Sequence, residues 1–417
     1  MDHHDDATVT GATPPLATSV MASRRTTSSS TSTSGLRLVS LLPSITEILC
    51  ACGLSDTIVG ITHECDHPPD LLRRRRPPHV VTTSAINPRI LTQAEIHTQV
   101  CGALRHGDSL YGLDGTVLRA VAPDLIFTQS LCDVCAVSYP TVLKAVDTAD
   151  DLDPVVVSLE PQDLQDCLQT FHVAAKAIDE YLVKTGRKIN DDDDEDAHTS
   201  IAQRAHDVTK RLEEGFEKIR HVVKDYHGTA ADVPRRRPTV VFLEWHDPIF
   251  CGGHWIVDMI DLAGGHYVMP IPAKGRSVAL TDAELGALDP DVILIGPCGF
   301  DLHRTLTDTR QLFYNEDSPE ENNTRNTAPA AATRTAWWHS LRAVQQGRVY
   351  ALDGNAYYAR PGPRLLQGTA IMAVCIHDDQ ENTTTTTTST KKKQKTMAEL
   401  LGPELVPSTG GYQRILS

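Results

Sequence analysis

Residues 37–66 read RLVSLLPSITEILCACGLSDTIVGITHECD, and this stretch carries a strand, a helix and a second strand in immediate succession. Leu38 to Leu42 is a near-continuous apolar run of strand length, stopped by Pro43-Ser44. Ile45, Ile48, Leu49 and Cys52 then recur at helical spacing, with Gly53 where a helix C-cap belongs. Thr57 to Thr62 reads as a second buried strand. Apolar strands without alternation, linked by a helix, imply a parallel sheet covered on both faces. In such sheets ligands gather beyond the carboxyl ends of the strands. Here those ends carry Pro43, Ser44, Thr46 and Glu47, and then His63, Glu64, Cys65 and Asp66.

Outward from this unit, Thr92 to Leu104 and Gly115 to Val121 have helical patterns, and Asp124 to Thr128 is a third short apolar strand. Ser109-Leu110-Tyr111 leads into the second of those helices, and Leu71 to Pro78, with four consecutive arginines, reads as a solvated loop. Beyond the third strand come Gln129 and Cys132-Asp-Val-Cys135, a helix over Ser138 to Val146, and a fourth strand over Pro154 to Leu159. From Pro161 the pattern changes. Leu164, Leu168, Phe171, Ala175, Ile178 and Leu182 form one apolar stripe on a long helix that reads as a spacer. Ile201 to Val223 continues or flanks it.

Thr239 to Leu243 opens a second α/β lobe whose strand end is Glu244-Trp245-His246-Asp247-Pro248. Gly252-Gly253-His254-Trp255 introduces a helix, and Asp291 to Ile295 is a strand followed by Pro297-Cys298. The segments APDLIFTQSLC and DPDVILIGPC each place Pro-Asp before an apolar strand and a cysteine-bearing loop, which suggests two lobes of similar design. The expected organisation is a disordered tail over 1–36, an N-terminal lobe over 37–159, and a linking helical region over 160–238 with an acidic insertion at 185–200. A C-terminal lobe over 239–417 completes it, with surface insertions at 302–336 and 378–396.

The formal charge of -15 owes six acids to the run Asp191 to Asp196, so it says little about partners. No window is apolar enough for a membrane span, and neither a secretion signal nor a lipoprotein cysteine is read at the N-terminus. Arg24 to Ser34, basic and rich in hydroxyls, would suit an organelle transit segment. Ten cysteines without an evenly spaced framework favour a reducing compartment, with the cytoplasm as the expectation. No Walker A or GxGxxG pattern precedes a suitable helix, so no nucleotide site is expected.

Cys132 and Cys135 have the spacing of a redox pair or of half a zinc site, and equally of simple pocket lining. Glu244 and Asp247 could act as acid and base, or simply polarise a pocket rim. His63, His246 and His254 fall at strand ends or helix starts, where side chains reach a cleft between lobes. Trp245, Trp255 and Tyr111 add flat apolar area suited to a large ring-like ligand.

Five blocks, RLVSLLPSITEILCACG, GITHECDHPP, APDLIFTQSLCDVCAV, LEWHDPIFCGGHW and RVYALDGNAYYARPGPRL, together resemble the cobalamin and iron-siderophore type of periplasmic substrate-binding protein, in its stand-alone branch. The resemblance implies two Rossmann-like lobes joined by one long helix, little hinge motion, and a ligand held between the lobes. By that resemblance the cleft is lined by Pro43, Ser44, Thr46, Glu47, His63, Glu64, Cys65, Ser109, Tyr111, Gln129, Cys132, Cys135, Trp245, Asp247, His254, Trp255, Cys298, Tyr357 and Arg360. The implied ligand is cobalamin or a related metal chelate, and a permease partner is not implied. The alternatives are an enzyme that uses the Cys132 and Cys135 loop on the same scaffold, and a docking module built on the insertions.

Overall fold

A computed structural model describes residues 20–21, 35–106, 109–129, 137–148, 152–189, 199–228, 236–272, 274–314, 336–378, 395–408 and 411–415. In the N-terminal part the elements are β1 (Val20–Met21), β2 (Leu38–Ser40), α1 (Pro43–Ala51), β3 (Ile58–Ile61), α2 (Pro69–Arg73), β4 (His79–Val80), β5 (Thr82–Ser84), α3 (Gln93–His106), β6 (Tyr111–Leu113), α4 (Gly115–Val121), β7 (Leu125–Thr128), α5 (Tyr139–Asp147) and β8 (Val155–Ser158). Two long helices follow, α6 (Leu164–Thr185) and α7 (Ile201–Gly228). The C-terminal part contains β9 (Thr239–His246), β10 (Ile249–Cys251), α8 (Trp255–Leu262), β11 (His266–Tyr267), β12 (Val278–Leu280), α9 (Asp282–Leu288), β13 (Val292–Ile295), α10 (Leu302–Tyr314), α11 (Arg342–Gln345), β14 (Val349–Leu352), α12 (Gly354–Tyr357), α13 (Leu365–Ile376), α14 (Met397–Leu401) and β15 (Tyr412–Ile415).

The first sheet has the order β1-β8-β7-β2-β3-β4, parallel except for β1. The second has the order β12-β10-β9-β13-β14-β15, with β11 also paired to β9. Its centre, β9, β13 and β14, is parallel, and its edges are antiparallel. In both sheets successive strand residues serve opposite cores. Val240, Phe242, Val292 and Leu294 face one cluster, while Val241, Leu243, Ile293 and Ile295 face the other. This is why the strands read as unbroken apolar runs: both faces are buried.

The long spacer helix is capped at both ends. Asp163 accepts the Asp166 N–H at 2.7 Å, and Gly186, at φ 67°, occupies the left-handed position after the last turn. The helix therefore begins three residues after Pro161, where the side-chain cap sits. One hydrophobic cluster runs from α1 and α6 through Phe216 and Ile219 of α7 to Met259 of α8 and Ile371 of α13. The helices thus fuse the two halves.

The paired Pro-Asp segments are duplicates in atomic detail. Helices α4 and α9 both end on a non-glycine residue at positive φ, Ala122 at 38° and Asp289 at 37°. Asp124 then accepts the Arg37 N–H at 2.9 Å at the start of β2, and Asp291 accepts the Thr239 N–H at 2.8 Å at the start of β9. Each carboxylate also holds an arginine, Arg187 at 2.9 Å and Arg236 at 2.7 Å. A short sequence echo marks the same corner built twice.

Several expectations are corrected. The arginine stretch begins inside α2 rather than in a loop. Strand β9 extends to His246, because β10 returns as a hairpin and pairs with its last residues. Residues 302–336 are not all surface insertion. Phe313 of α10 is fully buried and stacks on Trp338 with ring centres 4.1 Å apart. Removing that stretch would open the core, so it cannot serve as a detachable docking element. Val20–Met21, within the stretch read as a tail, pair with Val156 and Val157 of β8.

Candidate functional site

The end of β2 leads directly into α1, which carries Glu47. Its side chain is 1 % exposed and accepts from two arginines of the opposite lobe. Arg364 donates through Nε at 2.9 Å and Nη2 at 2.6 Å, and Arg360 Nη1 lies 3.3 Å from Oε1. Arg360 also forks onto Asp66, with Nη2 to Oδ2 at 3.0 Å and Nη1 to Oδ1. Its Nη2 additionally reaches Glu64 O at 3.1 Å and Asn355 Oδ1 at 2.8 Å. Asn355 Nδ2 closes the ring on Asp66 at 2.8 Å. Two guanidinium forks on two carboxylates are the geometry in which arginine binds best.

A second joint lies at Gln93, which is 2 % exposed at the start of α3. Its amide oxygen accepts the His246 N–H at 2.8 Å, and its nitrogen donates to His246 Nδ1 at 2.5 Å and Asp308 Oδ2 at 3.2 Å. Because Nδ1 accepts, Nε2 of this fully buried imidazole is the nitrogen that donates to Thr309 Oγ1 at 2.8 Å. Arg304 binds Asp308 at 2.6 Å and reaches the Pro88 and Leu91 carbonyls at 3.0 and 2.8 Å.

These joints remove several expected wall residues from the cleft. Ser44 is 6 % exposed under the loop of Gly362, and Thr46 is fully buried with its hydroxyl on Ser40 at 2.8 Å. Cys65 packs its sulfur 3.2 Å from Thr46, and burial pushes its thiol up to about 12, which favours the protonated, packed form. Trp255 is 8 % exposed and donates its indole N–H to Tyr358 O at 2.8 Å. His246 does end β9, as expected, but its imidazole is fully buried between Gln93 and Thr309. Tyr357 borders the first joint, its ring 5.8 Å from the Arg364 guanidinium. Pro43 occupies the first turn of α1 and serves the helix.

A different group stays at the surface of the strand ends. His63 Nδ1 lies 2.7 Å from Thr82 Oγ1, and its Nε2 faces Glu64 Oε1 at 3.2 Å. The imidazole is 24 % exposed and meets the Tyr111 ring at 5.5 Å. The hydrogen bond from His63 holds the Glu64 carboxyl below its ordinary range, against the opposing effect of burial. Ser109, exposed, donates to Tyr111 O at 2.6 Å. Gln129, just beyond β7, is by contrast buried at 5 % exposure, and its carbonyl accepts the Tyr139 N–H at 3.0 Å. Cys132 and Cys135 lie outside the described residues.

On the opposite lobe Trp245 is half-buried. It rests against Phe300 with ring centres 5.3 Å apart and donates to Asp247 O at 3.1 Å. Asn355 donates its N–H to Phe300 O at 2.9 Å, and Asn355 and Arg360 reach Asp66 and Glu64 O, so His63 and Trp245 belong to the same edge of the molecule. His254, at φ 52°, donates its N–H to Gly275 O at 2.7 Å, and burial lowers its imidazole's proton affinity. Cys298 is exposed on the loop after β13. Glu244 is bonded to Ser277, whose hydroxyl accepts the Gly253 N–H at 3.2 Å and so donates to the carboxyl. Burial raises Glu244 to about 7.

Gln93, Thr82, Arg304 and Asp308 were not singled out from the sequence, and Arg364 only within a quoted block. One signal was available: Arg360-Pro-Gly-Pro-Arg364 holds two guanidinium groups on a stiff turn, a spacing suited to clamping carboxylates. Among the described residues no group of three or more histidine, cysteine or acidic side chains is placed to hold a metal ion by itself. No described helix is long and apolar enough to cross a membrane.

A scan of protein-family models gives no match, and a search of curated proteins finds no relative. Solved structures do match. A protein of Staphylococcus epidermidis described as a possible iron-binding, periplasmic solute-binding protein aligns at 16 % identity over 82 % of this chain and 99 % of its own, with a TM-score of 0.52. The periplasmic heme-binding protein RhuT of Roseiflexus aligns at 19 % identity over 82 % of this chain and 98 % of its own, with a TM-score of 0.51. An ABC transporter substrate-binding protein of Listeria monocytogenes aligns at 17 % over 83 % and 100 %, with a TM-score of 0.51.

The cytoplasmic expectation is corrected by the same finding, since proteins of this fold described as periplasmic or as ABC transporter substrate-binding proteins point away from that compartment. The cysteine argument fails for a physical reason. Of the eight described thiols, Cys52, Cys65, Cys167, Cys251 and Cys375 are buried packing residues, which carry no record of the surrounding redox potential. The chain has the fold of the periplasmic substrate-binding proteins, two α/β lobes joined by a long helix with a ligand cleft between them.

Proposed function

We propose that this protein binds a metal chelate of tetrapyrrole size at the edge where His63, Tyr111 and Trp245 stand, and that His63 supplies an axial nitrogen. The observation that carries the proposal is the second support on the imidazole. Thr82 holds Nδ1 at 2.7 Å and so fixes the ring plane, the arrangement by which metal-ligating histidines are oriented. Nε2, a buried nitrogen, faces Glu64 at 3.2 Å, and the Glu64 side chain is 39 % exposed, so a chelate would take the place of that carboxylate. Tyr111 and Trp245 offer apolar faces for a macrocycle. The Roseiflexus heme-binding protein shares the fold, which makes heme the first candidate and cobalamin the second.

Purified protein should be titrated with hemin and, separately, with cyanocobalamin, following the absorption bands to saturation. Stoichiometric binding of either chelate, weakened at least tenfold by His63→Ala, is the expected result. No saturable change with either chelate, or full affinity retained in the variant, would overturn the reading. Ligand binding should also raise the melting temperature, because it favours the folded state alone.

A further inference from the structure

A groove at the opposite end of the N-terminal sheet has no part in the cleft. It is lined at the amino ends of β2, β3 and β4 by Arg37, Arg74, Arg75, Arg76, Asp56 and His79, with Val59, Pro77, Pro78 and Val121 supplying its apolar surface. Its volume is about 580 Å³, within the range of small-ligand sites. In a chain of net charge -15, four arginines here face one aspartate.

Two of the four are locked in place. Arg74 donates to the Ser55, Ile58 and Arg76 carbonyls at 2.6, 2.7 and 2.7 Å and lies 3.4 Å from Asp56. Arg37 is held through Nε alone, by the Val121 and Ala122 carbonyls at 2.8 and 3.2 Å, which leaves the outer end of its guanidinium for other contacts. Arg75 and Arg76 are exposed, and their side chains have no hydrogen-bond or ion-pair partner among the described residues. The Arg74 bonds fix the backbone that carries both of them. Two held guanidinium groups, Arg37 and Arg74, with the exposed Arg75 and Arg76 beside them over a half-apolar floor, match a phosphate, whose oxygens accept two-pronged arginine bonds.

We propose that this groove is a second binding site, for an organic phosphate. Arg37, Arg75 and Arg76 take the phosphate, and the apolar part of the ligand lies on Pro77, Pro78 and Val121. A carboxylate-bearing peptide would use the same charges without needing the apolar floor.

The test is isothermal titration of the full chain with pyrophosphate and with phenyl phosphate at low ionic strength, repeated on the Arg75→Glu, Arg76→Glu double variant. Both substituted residues are exposed and unpaired, so the variant keeps its fold. Expected is saturable binding of both probes, weakened at least tenfold by the double variant and by raising the salt to about 0.5 M, where exposed charges are screened. Hemin or cyanocobalamin binding should not change in the variant, which separates this site from the cleft. Failure of either probe to bind, equal affinity in the variant, or tighter binding of a hexa-aspartate peptide than of either phosphate would overturn the assignment.

Discussion

The ends of β2 and β3 lie side by side on one sheet, carry comparable polar residues and meet opposite fates. At the β2 end Glu47 is sealed beneath Arg360 and Arg364 of the other lobe. At the β3 end His63 and Glu64 keep a quarter to two-fifths of their side chains in solvent. The position within the fold is equivalent, so the difference must come from what the facing lobe presents. A stiff turn with two arginines converts a polar strand end into a structural bolt. Where the same lobe reaches only the backbone of Glu64, through Arg360, the side chains of His63 and Glu64 stay partly exposed. Polar residues at a strand's carboxyl end therefore mark a meeting place, and their partners decide between binding and bracing.

The sharpest way to break this distinction is Arg360→Leu. Removing the guanidinium leaves Asp66 without its fork and takes one partner from Glu47, in a setting where Arg360 is 5 % exposed. Loss of one member of a buried pair costs about 3–5 kcal/mol, to be read from the urea midpoint at unchanged slope. A loss below about 1 kcal/mol would place this cluster among ordinary surface ion pairs.

His63→Ala probes the other member of the comparison. The variant should lose at least tenfold in chelate affinity, about 1.4 kcal/mol, while its urea stability moves by no more than about 1 kcal/mol. A large stability loss with intact chelate binding would make His63 a brace as well.

The smallest effect is in the acid limb of stability. Glu64 is held low by the hydrogen bond from His63. At Asp66 burial acts upward, but the Arg360 fork outweighs it and the net shift is downward. A carboxyl with a depressed folded pKa stabilises the protein above its unfolded pKa, and that stability is lost as the pH falls through the folded value. Unfolding free energy measured from pH 6 downward should therefore fall less steeply in Asp66→Asn than in the parent chain. With the Asp66 side chain 56 % exposed, screening should keep the difference below about 1 kcal/mol. An identical slope would show that Arg360 braces through Glu47 alone.

The fold was legible because its signals are local. Unbroken apolar runs gave β2, β3, β7, β8, β9 and β13, and a single stripe at helical spacing gave α6. The Pro-Asp echo pointed to two like lobes, and Asp124 and Asp291 show why, each closing the neighbouring strand's first N–H. Elements whose reasons are non-local were missed. The short edge strands β10, β12 and β15 exist only because a neighbour offers hydrogen bonds, and α10 only because Phe313 has Trp338 to stack on. The candidate site was legible as a set of strand ends but not as two classes of residue. Nothing near Glu47 in the chain announces an arginine more than three hundred residues away, whereas Thr82 stands nineteen residues from His63 and meets it because β4 runs alongside β3.

The hydrophobic cluster that passes unbroken from α1 through α6 and α7 into α8 and α13 bears on how this chain comes apart. Peeling either half away would strip Phe216, Ile219 and Met259 of their surroundings at once, so neither half can melt and leave the other intact. The molecule should therefore unfold as one cooperative block, with a single transition rather than one for each half.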